Sequence, residues 1–373
     1  MAFLDVERRT LEEIIPKLDG ELVEIPLLEM EKPGGPAIEL FRKQGGAGML
    51  VPKALGGRGA SPLQATRVHR AVASRSPSLA VAMMMHNFSV ATLVENSLYG
   101  AEGNELLRGI VDSRLLMASG FAEGRTGAGI LDASMRADPV PGGYRINGTK
   151  KPCSLSRSMD IFSAGVVVPG ANGDRRRAIA IVPASAEGLK RKPFWRSWVL
   201  AGAESDEVSL ENVFIPSELL FFPNCETGLD RVEIGGFCWF ELLCAATYLG
   251  VASRLAELAL VAGKGSDADR ALLGIELEGG MAAVEGVARA MGEEKRDENA
   301  LARALFARFA AQLAVERAAG HAAELLGGMA FVGSSDVAYL LAASRALAFH
   351  PPSRISASRT LAAYLIGGAL ELG

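Results

Sequence analysis

The sequence predicts an α+β protein with its helices and strands segregated along the chain: a helical domain over residues 1–114, a β-domain over 115–225, and helices again over 226–373. Three observations carry this. The first stretch holds Ala-, Leu- and Met-rich runs of helical length. The middle stretch alternates apolar and polar residues between Gly-rich turns. Beyond Gly228 the chain is rich in Ala and Leu, with apolar residues three and four apart.

In chain order, Thr10 ahead of Glu12-Glu13 reads as a helix N-cap. Ala37 to Arg42 suggests a short helix ended near Gly45-Gly46. Leu63 to Ser74 and Ser78 to Leu98 are two further helices; Met83-Met84-Met85 on the second serve packing or form part of a substrate wall. The β region opens on Leu115-Leu116-Met117-Ala118 and a Gly-rich turn from Gly120 to Gly129 that contains Glu123. Gly142-Gly143 turns into Tyr144-Arg145-Ile146, and Asn147-Gly148 is the strongest two-residue hairpin signal a sequence offers. An apolar run follows from Ile161 to Val168, and alternation returns in Glu207 to Leu210 and Asn212 to Pro216. Long helices fit Phe240 to Gly263, Asp267 to Glu294 and Asn299 to Leu326, with a last segment after Pro351-Pro352. On the third of these, Leu301, Leu305, Phe309 and Leu313 form one apolar row, and Ala302, Phe306 and Ala310 a second. That face is wider than a single stripe needs and predicts a homo-oligomer.

With 49% hydrophobic residues in 373, the chain can bury large cores, which argues against disorder. Net charge is −4 and Arg175-Arg176-Arg177 is the one basic cluster, which gives nucleic-acid binding little support. Phe237 to Ala252 is apolar but short and contains Glu241, so it reads as a buried helix and no membrane span is expected. The N-terminus mixes acids and bases without a signal-peptide core. Cys153, Cys225, Cys238 and Cys244 lack metal-ligand spacing and read as free thiols in a reducing cytoplasm.

Two motifs resemble the acyl-CoA dehydrogenase superfamily. Ala122-Glu123-Gly124 through Gly127-Ala128-Gly129 is similar to its flavin loop, and Gly143-Tyr144-Arg145-Ile146-Asn147-Gly148-Thr149-Lys150 to its more specific flavin-side hairpin. The resemblance covers nearly the whole chain. It implies an N-terminal helical domain, a middle β-barrel-like domain and a C-terminal four-helix bundle that builds a dimer or tetramer. It also implies FAD as cofactor, held near Phe121, Ala122, Glu123, Gly127, Cys153 and Ser154. Glu123 reads as loop support more than as a catalyst.

An acyl-thioester dehydrogenase needs a carboxylate base facing the flavin. Where much of the family places it, this chain has Ser334, with Asp336 the nearest acid. Where a smaller branch places it, the match is Phe240, and Glu241 is one residue on, about 100° round a helix. Glu241 remains a candidate base or the partner of an Arg on a neighbouring helix. The family's Arg-x-x-Phe-Gly and Glu-Gly-Thr-Ser-Glu segments are replaced by Gly263-Lys264-Gly265-Ser266 and Ala348-Phe349-His350-Pro351-Pro352-Ser353, which brings FMN into play beside FAD.

These departures resemble the superfamily's reduced-flavin monooxygenase branch. That branch implies a His on an N-terminal helix, a hydroxyl after the Asn-Gly motif and a late His beside Pro. His86, Ser154 and His350 stand at matching places, supplying hydrogen bonds to a flavin and its C4a-peroxide. The branch's Arg-Asp pair before the final His is Ala342-Ala343 here. His86 and His350 also have structural readings, as a core histidine and a turn residue; His69 and His321 read as structural or exposed. The expected function is a flavin-dependent monooxygenase of a small or carrier-bound substrate, served by a flavin reductase. The alternatives are an acyl-thioester dehydrogenase with a displaced base and an electron-transfer partner, and a non-catalytic paralogue.

Overall fold

The computed structural model describes residues 2–97, 103–125, 133–170, 175–223, 229–293 and 296–370. Seven helices come first: α1 (Asp5–Ile14), α2 (Leu18–Val23), α3 (Leu27–Met30), α4 (Ala37–Lys43), α5 (Pro62–Ala73), α6 (Pro77–Ser97) and α7 (Asn104–Asp112). Thr10 does not cap α1. It lies inside the helix, its hydroxyl bonded back to the Val6 carbonyl at 2.8 Å, because the helix already begins at Asp5. α5 starts on a full capping box, Ser61 with Gln64, and has Pro62 at its first position. α6 is apolar on most sides, with Met83 and Met84 buried, so both methionines pack the core.

The middle region holds β1 (Met117–Gly120), β2 (Arg136–Val140), β3 (Gly143–Cys153), β4 (Ile161–Pro169), β5 (Arg175–Pro183), β6 (Leu189–Lys192), β7 (Asp206–Pro216) and β8 (Leu220–Phe221). One sheet joins them in the order β6-β7-β3-β2-β4-β5-β8, and β1 lies parallel on β4. The path runs openly from β6 to β8 among the described residues. The β2–β3 turn falls at Pro141-Gly142, as Gly142-Gly143 suggested, with Gly142 at φ 80°.

Asn147-Gly148 is no hairpin. β3 runs straight through it, and the register against β7 shifts there between Ile146 and Gly148. The dipeptide forms a β-bulge: Gly148 sits at φ 146°, where a Cβ would meet the Met135 backbone at 2.8 Å, and the Asn147 side chain accepts from the Asn212 amide at 2.8 Å. β7 is long enough to pair residues on both sides of the bulge, so the chain has no reason to reverse. The two predicted segments Glu207–Leu210 and Asn212–Pro216 are this one strand.

α8 (Arg231–Val261), α9 (Asp267–Glu293), α10 (Glu298–Gly333) and α11 (Ser335–Ser344) form the C-terminal bundle, followed by α12 (Arg354–Leu365). α8 begins well before Phe240 because Asp230 and Glu233 close a capping box. It is the central helix, packed against α5, α6, α9, α10 and α11. α6 and α8 are apolar and long enough to cross a membrane, but 78% and 89% of their apolar windows are buried inside the fold. α10 kinks at Gly327, φ 81°.

The apolar rows on α10 are mostly core of the single chain. Leu301, Leu305, Phe309 and Ala302 are buried, and Leu313, Phe306 and Ala310 stay open. The larger exposed apolar residues lie elsewhere, at Met329, Phe331 and Val332 after the kink, at Phe349, and at Ile355, Leu365 and Ile366 along α12.

Candidate active site

β1 ends at Gly120, where any Cβ would strike the Phe162 ring at 2.2 Å. The chain then runs through Phe121, Ala122 and Glu123 beside β3, fixed by the Lys151 amide donating to the Ala122 carbonyl at 2.9 Å. Glu123 binds inward. Its carboxylate accepts from Lys150 Nζ at 2.7 Å, from the Ser134 amide at 2.7 Å and from the Met135 amide at 3.2 Å, and it pairs with Arg125. Partial burial opposes its charge, but Lys150 and Ser134 together hold its pKa down to about 2. Glu123 therefore clips the two ends of the loop, and its carboxylate has little left to offer a cofactor. Gly127 lies outside the described residues.

The Cys153 side chain is wholly buried in the core, where burial pushes the thiol up to about 12. Cys238 and Cys244 are likewise buried free thiols, and Cys225 lies outside the described residues. Ser154 follows the end of β3 in a turn, with its hydroxyl 2.9 Å from that of Ser205.

From this loop an aromatic series crosses to the bundle. Phe121 meets Phe88 of α6 at 6.1 Å between ring centroids, Phe88 meets Phe240 of α8 at 5.6 Å, and Phe240 meets His350 at 6.2 Å. Tyr248, two turns along α8, places its hydroxyl 2.7 Å from His350 Nε2. A cleft opens beside the series between α6, β4, β5 and the start of α8, lined by Phe88, Thr92, Phe121, Ser163, Phe222 and Glu233 among others. The wall facing it is aromatic and aliphatic, with hydroxyls spaced along it.

Glu241 takes no part in this wall. It is fully buried against Arg308, itself fully buried, at 2.8 Å. Arg308 also donates to the carbonyls of His350 at 2.6 Å, Pro352 at 2.9 Å and Leu347 at 3.3 Å. Burial pushes Glu241 up to about 7, with Arg308 acting against that shift. The pair pins the segment that carries His350, so Glu241 adopts the neighbouring-helix ion pair. Ser334 and Asp336 sit at the junction of α10 and α11.

His86 is a pin too. One ring nitrogen contacts the Ala47 carbonyl at 2.9 Å and the other accepts from the Met117 amide at 3.0 Å, which ties the Gly46–Gly48 turn to the start of β1. Burial lowers it to about 4, and no ring nitrogen is left for chemistry. His69 is a buried core histidine between Thr247 and Asn87, and His321 lies 3.7 Å from Asp269. Of the four predicted catalytic residues, Glu241 and His86 are engaged by Arg308, Ala47 and Met117, Ser154 bonds Ser205, and His350 keeps one ring nitrogen without a partner among the described residues.

Sequence reading missed Tyr248, Phe88, Ser205 and Arg308. Arg308, one of two arginines with Arg303 in the otherwise apolar stretch Ala302–Ala311, was the one legible signal.

A flavin fits these residues. Its flat ring suits a wall of Phe121, Phe88 and Phe240, Ser154 offers a hydroxyl to the polar edge, and the second nitrogen of His350 has no partner among the described residues. Comparison with known proteins adds three findings; no family model matches the sequence. The chain is 46% identical to isobutylamine N-hydroxylase of Streptomyces viridifaciens over 378 aligned positions, covering 100% of both. It superposes on KijD3 in complex with FMN and a dTDP-linked amino sugar, with a TM-score of 0.84 at 20% identity over 97% of this chain and 94% of the other. It superposes on glutaryl-coenzyme A dehydrogenase with a TM-score of 0.80 at 19% identity, over 99% and 95%.

Proposed function

The chain belongs to the flavin-dependent monooxygenases built on the acyl-CoA dehydrogenase fold, and from that membership we propose that it hydroxylates the nitrogen of a small primary aliphatic amine. The observation that carries the proposal is the wall around Phe240. A thioester dehydrogenase would need a carboxylate there; Phe240 occupies the position, Glu241 beside it is sealed against Arg308, and Glu233 at the cleft is tied into the capping box of α8 and paired with Arg177. A small apolar amine needs no such base, because its neutral nitrogen is itself the nucleophile. The full-length likeness to an isobutylamine N-hydroxylase supports the same substrate class.

Reduced flavin, when bound, supplies the electrons that activate dioxygen. The overall reaction takes R–NH2, O2 and reduced flavin to R–NHOH, water and oxidised flavin. The chain's own residues hold and shield. Phe121, Phe88 and Phe240 exclude water from the reacting atoms. Ser154, kept in place by Ser205, hydrogen-bonds the flavin's polar edge. His350 presents its open nitrogen from the bundle side. FMN is the favoured form: the adenosine-side segment of the superfamily is replaced by Ala348 to Ser353, and KijD3 was seen with FMN.

The enzyme works in the cytoplasm with a separate flavin reductase. It assembles as a homodimer or homotetramer through the exposed apolar residues of the α10 end and α12. The test supplies purified protein with enzymatically reduced FMN, oxygen and isobutylamine, and assays N-alkylhydroxylamine by mass spectrometry. Product is expected. Hydrogen peroxide alone across a series of amines, or anaerobic bleaching of oxidised flavin by an acyl-CoA, would overturn the proposal.

A further inference from the structure

Tyr248 is fully buried, and its hydroxyl has one partner among the described residues, Nε2 of His350 at 2.7 Å. That single contact fixes where the protons sit. A buried phenol O–H with nothing to donate to is costly, and Nε2 is the acceptor within reach. Tyr248 therefore donates, Nε2 accepts, and the neutral imidazole carries its proton on Nδ1. The charged groups around the ring agree. Burial first, then Arg308, keeps His350 far down, at about 3, and burial holds the Tyr248 hydroxyl well above its ordinary value, with Cys244 adding to the shift. Neither ring ionises near neutral pH. Glu241, the nearest carboxylate, is engaged by Arg308 and does not reach the imidazole.

His350 is half-buried even though protein surrounds it on the side of Tyr248, Phe240 and Arg308. Its Nδ1 has no partner among the described residues, so the open edge of the ring is the Nδ1 edge. Its backbone carbonyl is held by Arg308 at 2.6 Å, which fixes the main chain from which the ring reaches Tyr248.

We infer that Tyr248 is a positioning residue that locks His350 in the Nδ1–H tautomer, so that the enzyme presents a hydrogen-bond donor, and not an acceptor, to the flavin side of its chamber. A donor suits an oxygen atom that gains negative charge as it is transferred or released; an acceptor at the same place would repel it. This rests on the flavin-monooxygenase reading of the site.

Two measurements on the full-length protein with FMN test it. The first is the ¹⁵N spectrum of histidine-labelled enzyme, which needs no turnover and so separates this inference from the choice of substrate. Wild type should show a protonated Nδ1 and a bare Nε2 for His350, and Tyr248→Phe should convert it to the other tautomer or a mixture. A bare Nδ1 in wild type sinks the inference. The second is the yield of hydroxylated amine per flavin oxidised in Tyr248→Phe, His350→Asn and the double variant. In His350→Asn the side-chain amide supplies an N–H near Nδ1 without help from Tyr248. Tyr248→Phe should lower the yield about tenfold when His350 is present, the size of one lost hydrogen bond, and less than about twofold in the His350→Asn background. An equal loss in both backgrounds would mean that Tyr248 acts through packing alone, and would overturn the inference.

Discussion

Replacing Glu241 with Gln separates the two chemistries that the sequence left open. The side chain keeps its length, and its amide oxygen can still accept from Arg308, which stands 2.8 Å away with both side chains fully buried. Burial has already raised the Glu241 carboxyl to about 7, so a neutral group is a fair mimic of half its native population near neutral pH. Arg308 stays charged and bonds either group, so the loss at low pH is that of a buried amide NH2 placed where Oε1 has no partner, about 1–2 kcal/mol. At a few degrees per kcal/mol, the apparent Tm should fall by roughly 2–8 °C. The sign with pH follows from the raised value. Glu241's contribution is fully present below its ordinary 4.5 and is lost as pH rises through about 7. Gln cannot ionise, so the stability gap between wild type and variant should narrow over that window. Amine hydroxylation should stay within about fivefold of wild type, because Arg308 keeps its three carbonyl partners and still holds His350. Differential scanning fluorimetry at pH 5 and pH 8, beside steady-state product assays, measures both. A variant as stable as wild type but about 10²–10⁴-fold slower would refute the reasoning, because that is the signature of a lost proton-transfer group.

Ser154→Ala should weaken flavin binding about fivefold, one neutral hydrogen bond's worth, by fluorescence titration; an unchanged Kd would remove Ser154 from the cofactor site. His69, His86 and His350 are lowered by burial to about 3, 4 and 3. They should stay neutral from pH 5 to 8 by NMR, and their contribution to stability should be lost as pH falls from about 6.5 through those values; an imidazole among them titrating near 6.5 contradicts the burial. Val332→Asp with Ile366→Asp, both exposed in the single chain, should leave folding intact by circular dichroism and reduce the mass seen by light scattering. An unchanged oligomer would move the interface elsewhere.

Local pattern decided the order of helices and strands here, because periodicity and caps are written into neighbouring residues. The capping box Asp230/Glu233, the Gly142 turn and the Ala-rich bundle helices are of this kind. So was the missing base: the sequence already had Phe240 and Ser334 where a carboxylate was needed. Tertiary structure decided the rest. Asn147-Gly148 has the local chemistry of a hairpin, but a long β7 offered partners on both sides and made it a bulge. His86 and His350 carry the same ring and lie in similarly apolar sequence. One is closed off by Ala47 and Met117, and the other meets Tyr248 at Nε2 and has no partner at Nδ1 among the described residues. Glu241 became half of a buried ion pair because Arg308, 67 residues away, arrives beside it on α10. Which atoms of a polar side chain remain free depends on partners distant in sequence, and only the folded chain brings those together.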